Sequence, residues 1–408
     1  MEIAVHPGLA SLDQGYLFEQ IEEEITAFQK EHPLSRLISL GIGDVTRPLT
    51  PVVAEALAAA AAEMATESGM HGYGPAAGYP FLRKAIAESY SGLPCAIAPE
   101  EVAVTSGGKE ALGAVLSLFD PVIPVWVCEP AYPAYRDCAG CAGHPVQALP
   151  CRVEDGFLPK PEAVTEPGII ILCSPNNPTG AVLTAAGWQM WVSFAIKSGS
   201  LLLTDSAYAA YCTDPLLPRS VYAIPDADRC AIEIGSFSKS DGFTGLRCGW
   251  VVLPRACVCA CAPAQERQPL LRHWMRWLGC HSNGVSYPVQ RAAEAALSPI
   301  GRQQREEALR IYRRNAASLE QFFTAAGLPH TGGSHAPYLW VQCPNGDSWG
   351  WFRMLLATCG VIVTPGAGFG AAGEGWMRFS AFGRPEDTAE ALRRMEPIFR
   401  RGTREENE

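Results

Sequence analysis

Short apolar runs alternate with longer amphipathic stretches along most of the chain. The first clear unit is EVAVT (101–105), a Ser-Gly-Gly turn and KEALGAVLSLF (109–119), which together predict a strand followed by a helix. Nearly continuous apolar strands belong to sheets that are covered on both faces, so the pattern predicts an α/β fold with a mainly parallel sheet. The further strand predictions are VWVCEP (125–130), IIILCSP (169–175), LLLTDSAY (201–208) and AIEIGSFSK (231–239).

The pattern changes toward the C-terminus. A charged helical segment at about 300–326 precedes three short apolar runs, YLWVQCP (338–344), VIVTP (361–365) and MRFSAFG (377–383). This order is typical of a smaller α+β domain. We therefore predict three parts, which are an N-terminal segment that joins the small domain (1–47), a large domain (48–297) and a small C-terminal domain (298–408).

Composition narrows the class of protein. The chain has 408 residues, of which 48% are apolar, and this fraction excludes a disordered chain. The net charge of −10 argues against nucleic acid or an anionic membrane as a partner, which leaves small-molecule ligands. The N-terminus has neither a basic region nor an apolar core of a signal peptide, and no apolar run approaches the roughly 20 residues of a membrane span. We expect a cytoplasmic protein.

The chain contains 15 cysteines, and their spacing fits no secreted disulfide framework. Two clusters could in principle bind a metal, namely Cys138 with Cys141 and His144, and the alternating CVCAC (257–261). The first cluster has no suitably spaced fourth ligand. In a strand, the three sulfurs of the second cluster would all point to one face, as the side chains of ordinary core residues do. We predict free thiols and no metal site.

Polar residues follow the apolar runs at the edge of the sheet where α/β proteins bind ligands. Pyridoxal phosphate requires a lysine, an acid for its pyridine nitrogen and a phosphate site at the start of a helix. The polar residues that follow these runs include all three. Each residue alone has an ordinary structural explanation, such as a turn or a helix cap, but the ordered combination is specific. The residues are Ser106 to Lys109, Tyr132, Asn176 and Asn177, Asp205, Tyr208, Ser236, Ser238, Lys239 and Arg247.

Long motifs carry a resemblance to a known family. SPNNPTG (174–180), DSAYAAY (205–211), SFSKSDGFTGLRCGW (236–250) and YGPAAGYPFLRKAI (73–86) resemble class I/II aminotransferases of fold type I. A narrower resemblance, to the LL-diaminopimelate aminotransferase family, spans almost the whole chain. It implies a fold-type I, pyridoxal-phosphate-dependent transferase that acts as a homodimer with shared active sites. Its segments are DQGYLFEQI (13–21), LISLGIGDVTRPL (37–49), SVYAIPDA (220–227), GGSHAPYLWVQCPN (332–345) and TPGAGFGAAGEGWMRFSAFG (364–383).

The resemblance implies roles for the cofactor site. Lys239 forms the Schiff base and then transfers the proton, while Asp205 pairs with the pyridinium nitrogen. Asn177 and Tyr208 hydrogen-bond the 3′ oxygen of the ring, and Tyr132 stacks on its face. The phosphate is held by Gly108, Lys109, Ser236, Ser238 and Arg247, together with Tyr73 of the other subunit.

The resemblance also implies a substrate site. Arg378 binds the substrate α-carboxylate as a bidentate fork. In the family, a glutamate of the partner subunit binds the distal ammonium, but the matching position here is Ser68, with Glu67 displaced by one. Recognition of the distal amine therefore depends on a shifted Glu67 or is altered. The remaining substrate residues are Tyr16, Gly43, Lys109, Tyr132, Asn177 and Asn283.

The expected reaction interconverts L-glutamate plus tetrahydrodipicolinate, in its acyclic aminooxopimelate form, with 2-oxoglutarate plus LL-2,6-diaminopimelate. This places the enzyme in the synthesis of lysine and peptidoglycan precursors. Two alternatives are another class I/II aminotransferase, for aromatic or acidic amino acids, and a pyridoxal-phosphate-dependent cysteine-sulfur lyase. A transcription-regulating relative is the weakest alternative, because no basic winged helix precedes the enzyme-like region.

Overall fold

A computed structural model describes residues 6–10, 16–41, 43–261 and 266–405, so the predicted segment 1–47 is described only in part. None of the helices in these ranges is long and apolar enough to cross a bilayer. The helices are α1 (Pro7–Ala10), α2 (Leu17–Glu31), α3 (Pro51–Glu63), α4 (Pro80–Glu88), α5 (Gly108–Leu116), α6 (Ala134–Cys141), α7 (Ala185–Ser198), α8 (Leu270–His281), α9 (Tyr287–Leu297), α10 (Pro299–Ala325), α11 (Ser348–Cys359) and α12 (Pro385–Glu405).

The strands follow the predicted apolar runs closely. The run at 101–105, for example, forms a strand over Val102–Thr105, and the run at 231–239 forms one over Ala231–Ser236. In chain order the strands are β1 (Ile38–Ser39), β2 (Val102–Thr105), β3 (Val125–Glu129), β4 (Val146–Pro150), β5 (Ile169–Cys173), β6 (Leu201–Asp205), β7 (Ala231–Ser236), β8 (Gly249–Val252), β9 (Val258–Cys261), β10 (Glu266–Pro269), β11 (His330–Gly332), β12 (Tyr338–Gln342), β13 (Val361–Ile362), β14 (Thr364–Pro365) and β15 (Trp376–Ser380).

The larger sheet has seven strands in the order β2-β8-β7-β6-β5-β3-β4. Its strands are parallel except β8, which runs antiparallel to both of its neighbours. Every residue of β5 is buried, as expected for a strand covered on both faces. The prediction of an α/β fold with a mainly parallel sheet is confirmed.

The two ends of α7 follow simple capping chemistry. The hydroxyl of Thr184 accepts a hydrogen bond from the Gly187 N–H at 3.2 Å and so begins α7. The same helix ends at Gly199, which has a φ of +76° and can adopt the left-handed conformation without a Cβ clash.

A smaller antiparallel sheet has the order β11-β12-β15-β14 and packs with α10 and α11. The N-terminal segment reaches this region, because Ile38 of β1 pairs in parallel with Val361 of β13. These contacts agree with an N-terminal segment that joins the small α+β part. The division at residues 48 and 298 stays a prediction.

The histidine of the first cysteine cluster has a structural role. His144 is buried, and its two ring nitrogens lie 2.9 Å from the Ile123 oxygen and 3.0 Å from the Leu116 oxygen. Cys138 and Cys141 are free thiols. Within the described ranges, no group of three or more His, Cys, Asp or Glu side chains could hold a metal ion. The side chain of Cys261 lies outside the described residues.

Candidate active site

The carboxyl ends of β2, β3, β5, β6 and β7 meet around a cavity of about 360 Å³. Because parallel strands deliver the residues that follow them to one edge of the sheet, side chains far apart in the chain converge here. Residues predicted for the site that line this cavity are Tyr16, Gly43, Gly108, Lys109, Tyr132, Asn177, Asp205, Tyr208, Ser236, Ser238, Lys239, Arg247 and Arg378.

A cradle for an anion lies at the start of α5. Gly107, directly before the helix, has a φ of +99°, and a Cβ built on it would stand 2.5 Å from a guanidinium nitrogen of Arg247. The Arg247 guanidinium therefore lies against the turn, next to the N–H groups at the helix start. Ser236 and Ser238 are buried on the opposite strand end, with the Ser238 N–H donating to the Ser236 hydroxyl at 3.1 Å. The set suits a phosphate group.

Lys239 follows β7 and reaches into the cavity, where its amine donates a hydrogen bond to the Gly43 carbonyl. Burial is the main cause that lowers the pKa of this amine to about 8, and the guanidinium groups of Arg378 and Arg247 act in the same direction. The carboxylate of Asp44 opposes them. The amine therefore changes charge close to neutral pH.

Asp205 ends β6, and both of its carboxylate oxygens accept a hydrogen bond. The Tyr135 hydroxyl donates to Oδ2 at 2.8 Å and the Ala207 N–H donates to Oδ1 at 2.9 Å. Burial raises the pKa of Asp205, while these two hydrogen bonds lower it. Tyr135 was not predicted from the sequence, although it stands three residues after Tyr132, one turn along the chain.

Arg378 of β15 is 1% exposed and is held on several sides. It donates to Asn177 Oδ1 at 2.7 Å and to the Gly41 carbonyl at 2.5 Å. Its guanidinium lies 4.5 Å from the ring centroid of Tyr338. The Nε atom is buried and has no hydrogen-bond partner within the described part of the chain. A buried cation with an unused N–H suits a carboxylate ligand.

Tyr208, Tyr338 and Tyr132 also line the cavity. Tyr208 and Tyr338 share a hydrogen bond of 3.0 Å, and the Asn177 amide lies 3.5 Å from the Tyr208 hydroxyl. Tyr338 was also missed, although it lies within a motif that carried the resemblance. Tyr132 is the third tyrosine here, and its ring meets the ring of Tyr135 edge-on at 5.7 Å.

Lys109 is another cationic residue that lines the cavity. Its amine is 3.3 Å from the Tyr16 hydroxyl and stands 5.0 Å and 5.8 Å from the ring centroids of Tyr16 and Tyr132. The two tyrosine hydroxyls are 3.4 Å apart. Lys109 and the two tyrosines therefore form one polar cluster on the cavity wall.

Two predicted site residues lie outside the cavity of a single chain. Tyr73 is 91% exposed, and Asn283 is exposed in the segment between α8 and α9. These two segments adjoin, since a Cβ built on Gly284 would stand 2.8 Å from the Pro75 carbonyl. Glu67 and Ser68 are exposed on the loop that precedes Tyr73.

The fold and the site together define a class of protein. The family model "Aminotransferase class I and II" matches residues 35–395, and the chain belongs to this family. A protein of Lawsonia intracellularis named LL-diaminopimelate aminotransferase is 42% identical over 398 residues, which cover 94% of this chain and 96% of the relative. A protein of Bacteroides fragilis with the same name is 41% identical, over 96% of this chain and 98% of the relative.

Solved structures agree with these relatives. The L,L-diaminopimelate aminotransferase of Chlamydomonas reinhardtii superposes with a TM-score of 0.92 at 38% identity, covering 98% of this chain and 99% of that chain. An aspartate aminotransferase of Thermus thermophilus, a double mutant, reaches 0.85 at 25% identity, with 97% of this chain and 100% of that chain covered. The predicted fold type and the predicted cofactor, pyridoxal phosphate, are confirmed by the family and these structures.

Proposed function

We propose that the protein transfers the amino group between L-glutamate and tetrahydrodipicolinate, as its acyclic aminooxopimelate form, to give LL-2,6-diaminopimelate and 2-oxoglutarate. The observation that carries the proposal is one cavity lined by two cations, the buried Arg378 and Lys109, which suit the two carboxylates of a dicarboxylic amino acid. The relatives at 41–42% identity carry the name of this activity over nearly the whole chain. The reaction belongs to cytoplasmic synthesis of lysine and peptidoglycan precursors.

The residues present fit pyridoxal phosphate. This cofactor binds amines through its aldehyde and withdraws electrons from the α-carbon of a bound amino acid. The Gly107 turn and Arg247 form a cradle for its phosphate, and Asp205 presents a carboxylate for its ring nitrogen. Lys239 would supply the amine that attaches it, Tyr132 would lie against its ring, and Tyr208 and Asn177 would hydrogen-bond its 3′ oxygen.

Lys239 is the proton carrier of the proposed reaction. Its Nζ accepts the proton from the substrate α-carbon when the amine is neutral and returns a proton when it is charged. A pKa of about 8 allows both forms near neutral pH, which suits an acid–base group. The Gly43 carbonyl, as the hydrogen-bond acceptor of this amine, keeps it at the side of the cavity.

Arg378 orients the amino acid. Its unpartnered Nε and remaining N–H groups form a fork for the α-carboxylate, while Asn177 and Gly41 hold the guanidinium in place. A fork fixes the carboxylate plane, which directs the α-carbon toward Lys239.

The cluster of Lys109, Tyr16 and Tyr132 binds the second carboxylate of both substrates in this proposal. Glutamate and diaminopimelate each carry a distal carboxylate, and the Lys109 ammonium with the hydroxyls of Tyr16 and Tyr132 provides its binding groups. The same two tyrosines also line a second cavity of about 610 Å³.

We further propose a homodimer in which each subunit completes the cavity of its partner. Tyr73, Asn283, Glu67 and Ser68 all stand exposed on loops, and the Tyr73 loop adjoins the Asn283 segment, so one surface can deliver them together. Mixing two inactive variants tests this. Lys239→Ala and Tyr73→Ala homodimers are expected to be impaired, whereas a hybrid dimer contains one intact site and regains activity. Absence of any gain on subunit exchange would contradict shared sites.

The substrate is tested by single half-reactions. Purified holoenzyme is mixed with LL-diaminopimelate, the meso isomer, glutamate, aspartate or tyrosine, and the loss of the visible absorption band is followed. We expect LL-diaminopimelate and glutamate to react fastest. A preference for tyrosine or aspartate would overturn the diaminopimelate assignment, and release of sulfide from cysteine would indicate the lyase instead.

A matched pair of variants tests recognition of the distal amine. If the displaced loop serves this role, Glu67→Ala raises the KM for diaminopimelate but leaves that for glutamate unchanged, because glutamate has no distal amine. Ser68→Ala is the neighbouring control on the same exposed loop. Unchanged diaminopimelate kinetics in both variants would exclude both residues from this role.

A further inference from the structure

Tyr135 is a buried residue beside the cofactor site that no step of the proposed reaction uses. It lies on the first turn of α6, is 4% exposed, and directs its hydroxyl at Asp205 across the sheet edge. Its other polar neighbour is Cys173 at the end of β5, whose thiol donates to the Pro175 carbonyl at 3.1 Å. The single proton of the Tyr135 hydroxyl therefore goes to the carboxylate, which is the stronger acceptor.

The surroundings of Asp205 set two effects against each other. Burial favours the neutral acid, because a carboxylate without water is costly. The Tyr135 hydroxyl and the Ala207 N–H both donate, one to each oxygen, and so favour the ionised form. The charge of Lys239 acts in the same direction, but it makes no hydrogen bond to Asp205. The side chain that donates a hydrogen bond to this carboxylate is Tyr135.

We propose that Tyr135 is a positioning residue that keeps Asp205 ionised and fixes its orientation toward the ring nitrogen of the cofactor. An ionised, fixed carboxylate keeps that nitrogen protonated, and the protonated ring is the better electron acceptor. Tyr135 on α6 also meets the ring of Tyr132, the residue proposed to stack on the cofactor ring. One helix therefore positions the residues at both the face and the nitrogen of the cofactor ring. The inference rests on the cofactor and is independent of which amino acid is the substrate.

Tyr135→Phe removes the hydroxyl and keeps the ring. We expect the Kd of the apoprotein for pyridoxal phosphate to rise about tenfold, near the lower end of what a hydrogen bond to a charged group contributes. The visible absorption band of the bound cofactor is expected to change wavelength. With glutamate, kcat falls about tenfold while KM stays within twofold, because Arg378 and Lys109 are untouched.

Tyr222→Phe is the matched control. Tyr222 is also a fully buried tyrosine, and its hydroxyl lies 3.0 Å and 3.1 Å from the carbonyls of Ala231 and Val252, away from the cavity. Both variants lose one buried hydroxyl, so a loss of stability alone would lower both melting temperatures. Only Tyr135→Phe is expected to alter the cofactor spectrum and affinity.

A double-mutant cycle with Asp205→Asn separates positioning from packing. If Tyr135 acts through the carboxylate, its replacement by Phe changes cofactor affinity about tenfold in the wild-type background and less than twofold in the Asp205→Asn background. Equal effects in both backgrounds would overturn the proposal, as would a Tyr135→Phe protein with unchanged spectrum and affinity. A failed diaminopimelate assay would leave this test intact, because pyridoxal phosphate alone is its ligand.

Discussion

Replacing Arg378 by Lys tests the geometry of the carboxylate site most directly. The charge is kept, but the planar fork is lost, and with it the contact to Asn177 Oδ1 at 2.7 Å and the free Nε. One hydrogen bond to a charged group contributes about 1.5–3 kcal/mol. At about 1.4 kcal/mol per tenfold change in rate, kcat/KM is expected to fall about 10- to 150-fold.

The assay is the amino-transfer half-reaction, measured separately with glutamate and with LL-diaminopimelate. Both substrates carry the α-carboxylate, so both are expected to lose kcat/KM by a similar factor, while the affinity for pyridoxal phosphate stays unchanged. Arg313→Lys is the matched control, since Arg313 is a largely buried arginine that pairs with Glu306 outside the cavity. A fall of less than threefold, or a fall confined to one substrate, would refute the carboxylate clamp.

Three further predictions concern charge. The rate of covalent attachment of pyridoxal phosphate to the apoprotein is expected to rise with pH through about 8 and then level off, because only the neutral Lys239 amine attaches it. A flat stopped-flow profile would contradict this, and Lys239→Ala, the control, should lack the spectral change that accompanies attachment. Burial raises the pKa of Glu233 to about 6 from 4.5, so the folded state binds more protons and the free energy of unfolding falls by about 2 kcal/mol as pH rises from below 4.5 to above 6. Urea unfolding of the apoprotein should show this component in the wild type and lack it in Glu233→Gln, and identical pH profiles would exclude it. Lys109→Ala is expected to raise the KM for glutamate and diaminopimelate about tenfold, as for one lost charge-assisted contact, without changing the affinity for pyridoxal phosphate. Lys84→Ala, exposed on α4, is its control. A Lys109→Ala protein that loses the cofactor instead would assign Lys109 to the phosphate.

The sequence predicted the strands and the residues at their ends, because both follow from short-range pattern. An apolar run predicts a buried strand, and the polar residue after it must emerge at the edge of the sheet. Tyr135 and Tyr338 could not be found in this way. Their importance depends on contacts between separate elements, with Asp205 in one case and with Tyr208 and Arg378 in the other.

The direction in which a long side chain points also could not be predicted from the sequence. Lys109 was expected at both the phosphate and the substrate, and its amine lies against Tyr16 and Tyr132. A flexible four-carbon side chain can reach either the phosphate site or the substrate site, and only its contacts with the surrounding aromatic rings determine which one it faces. Tyr73 and Asn283 are a different case. In the proposed homodimer they contribute to the site of the other subunit, but in a single chain they lie on exposed loops like any others.

The contact between Arg378 and Asn177 joins the two sheets of the molecule. Arg378 belongs to the small antiparallel sheet, and Asn177 to the loop that leaves the large one. The proposed carboxylate site therefore depends on the relative position of the two sheets. A displacement of one sheet against the other would change the orientation of the guanidinium even when every cavity residue is intact. Substitutions that loosen the packing between the sheets, far from the cavity, should weaken amino acid binding while leaving the phosphate cradle, which lies wholly on the large sheet, as tight as before.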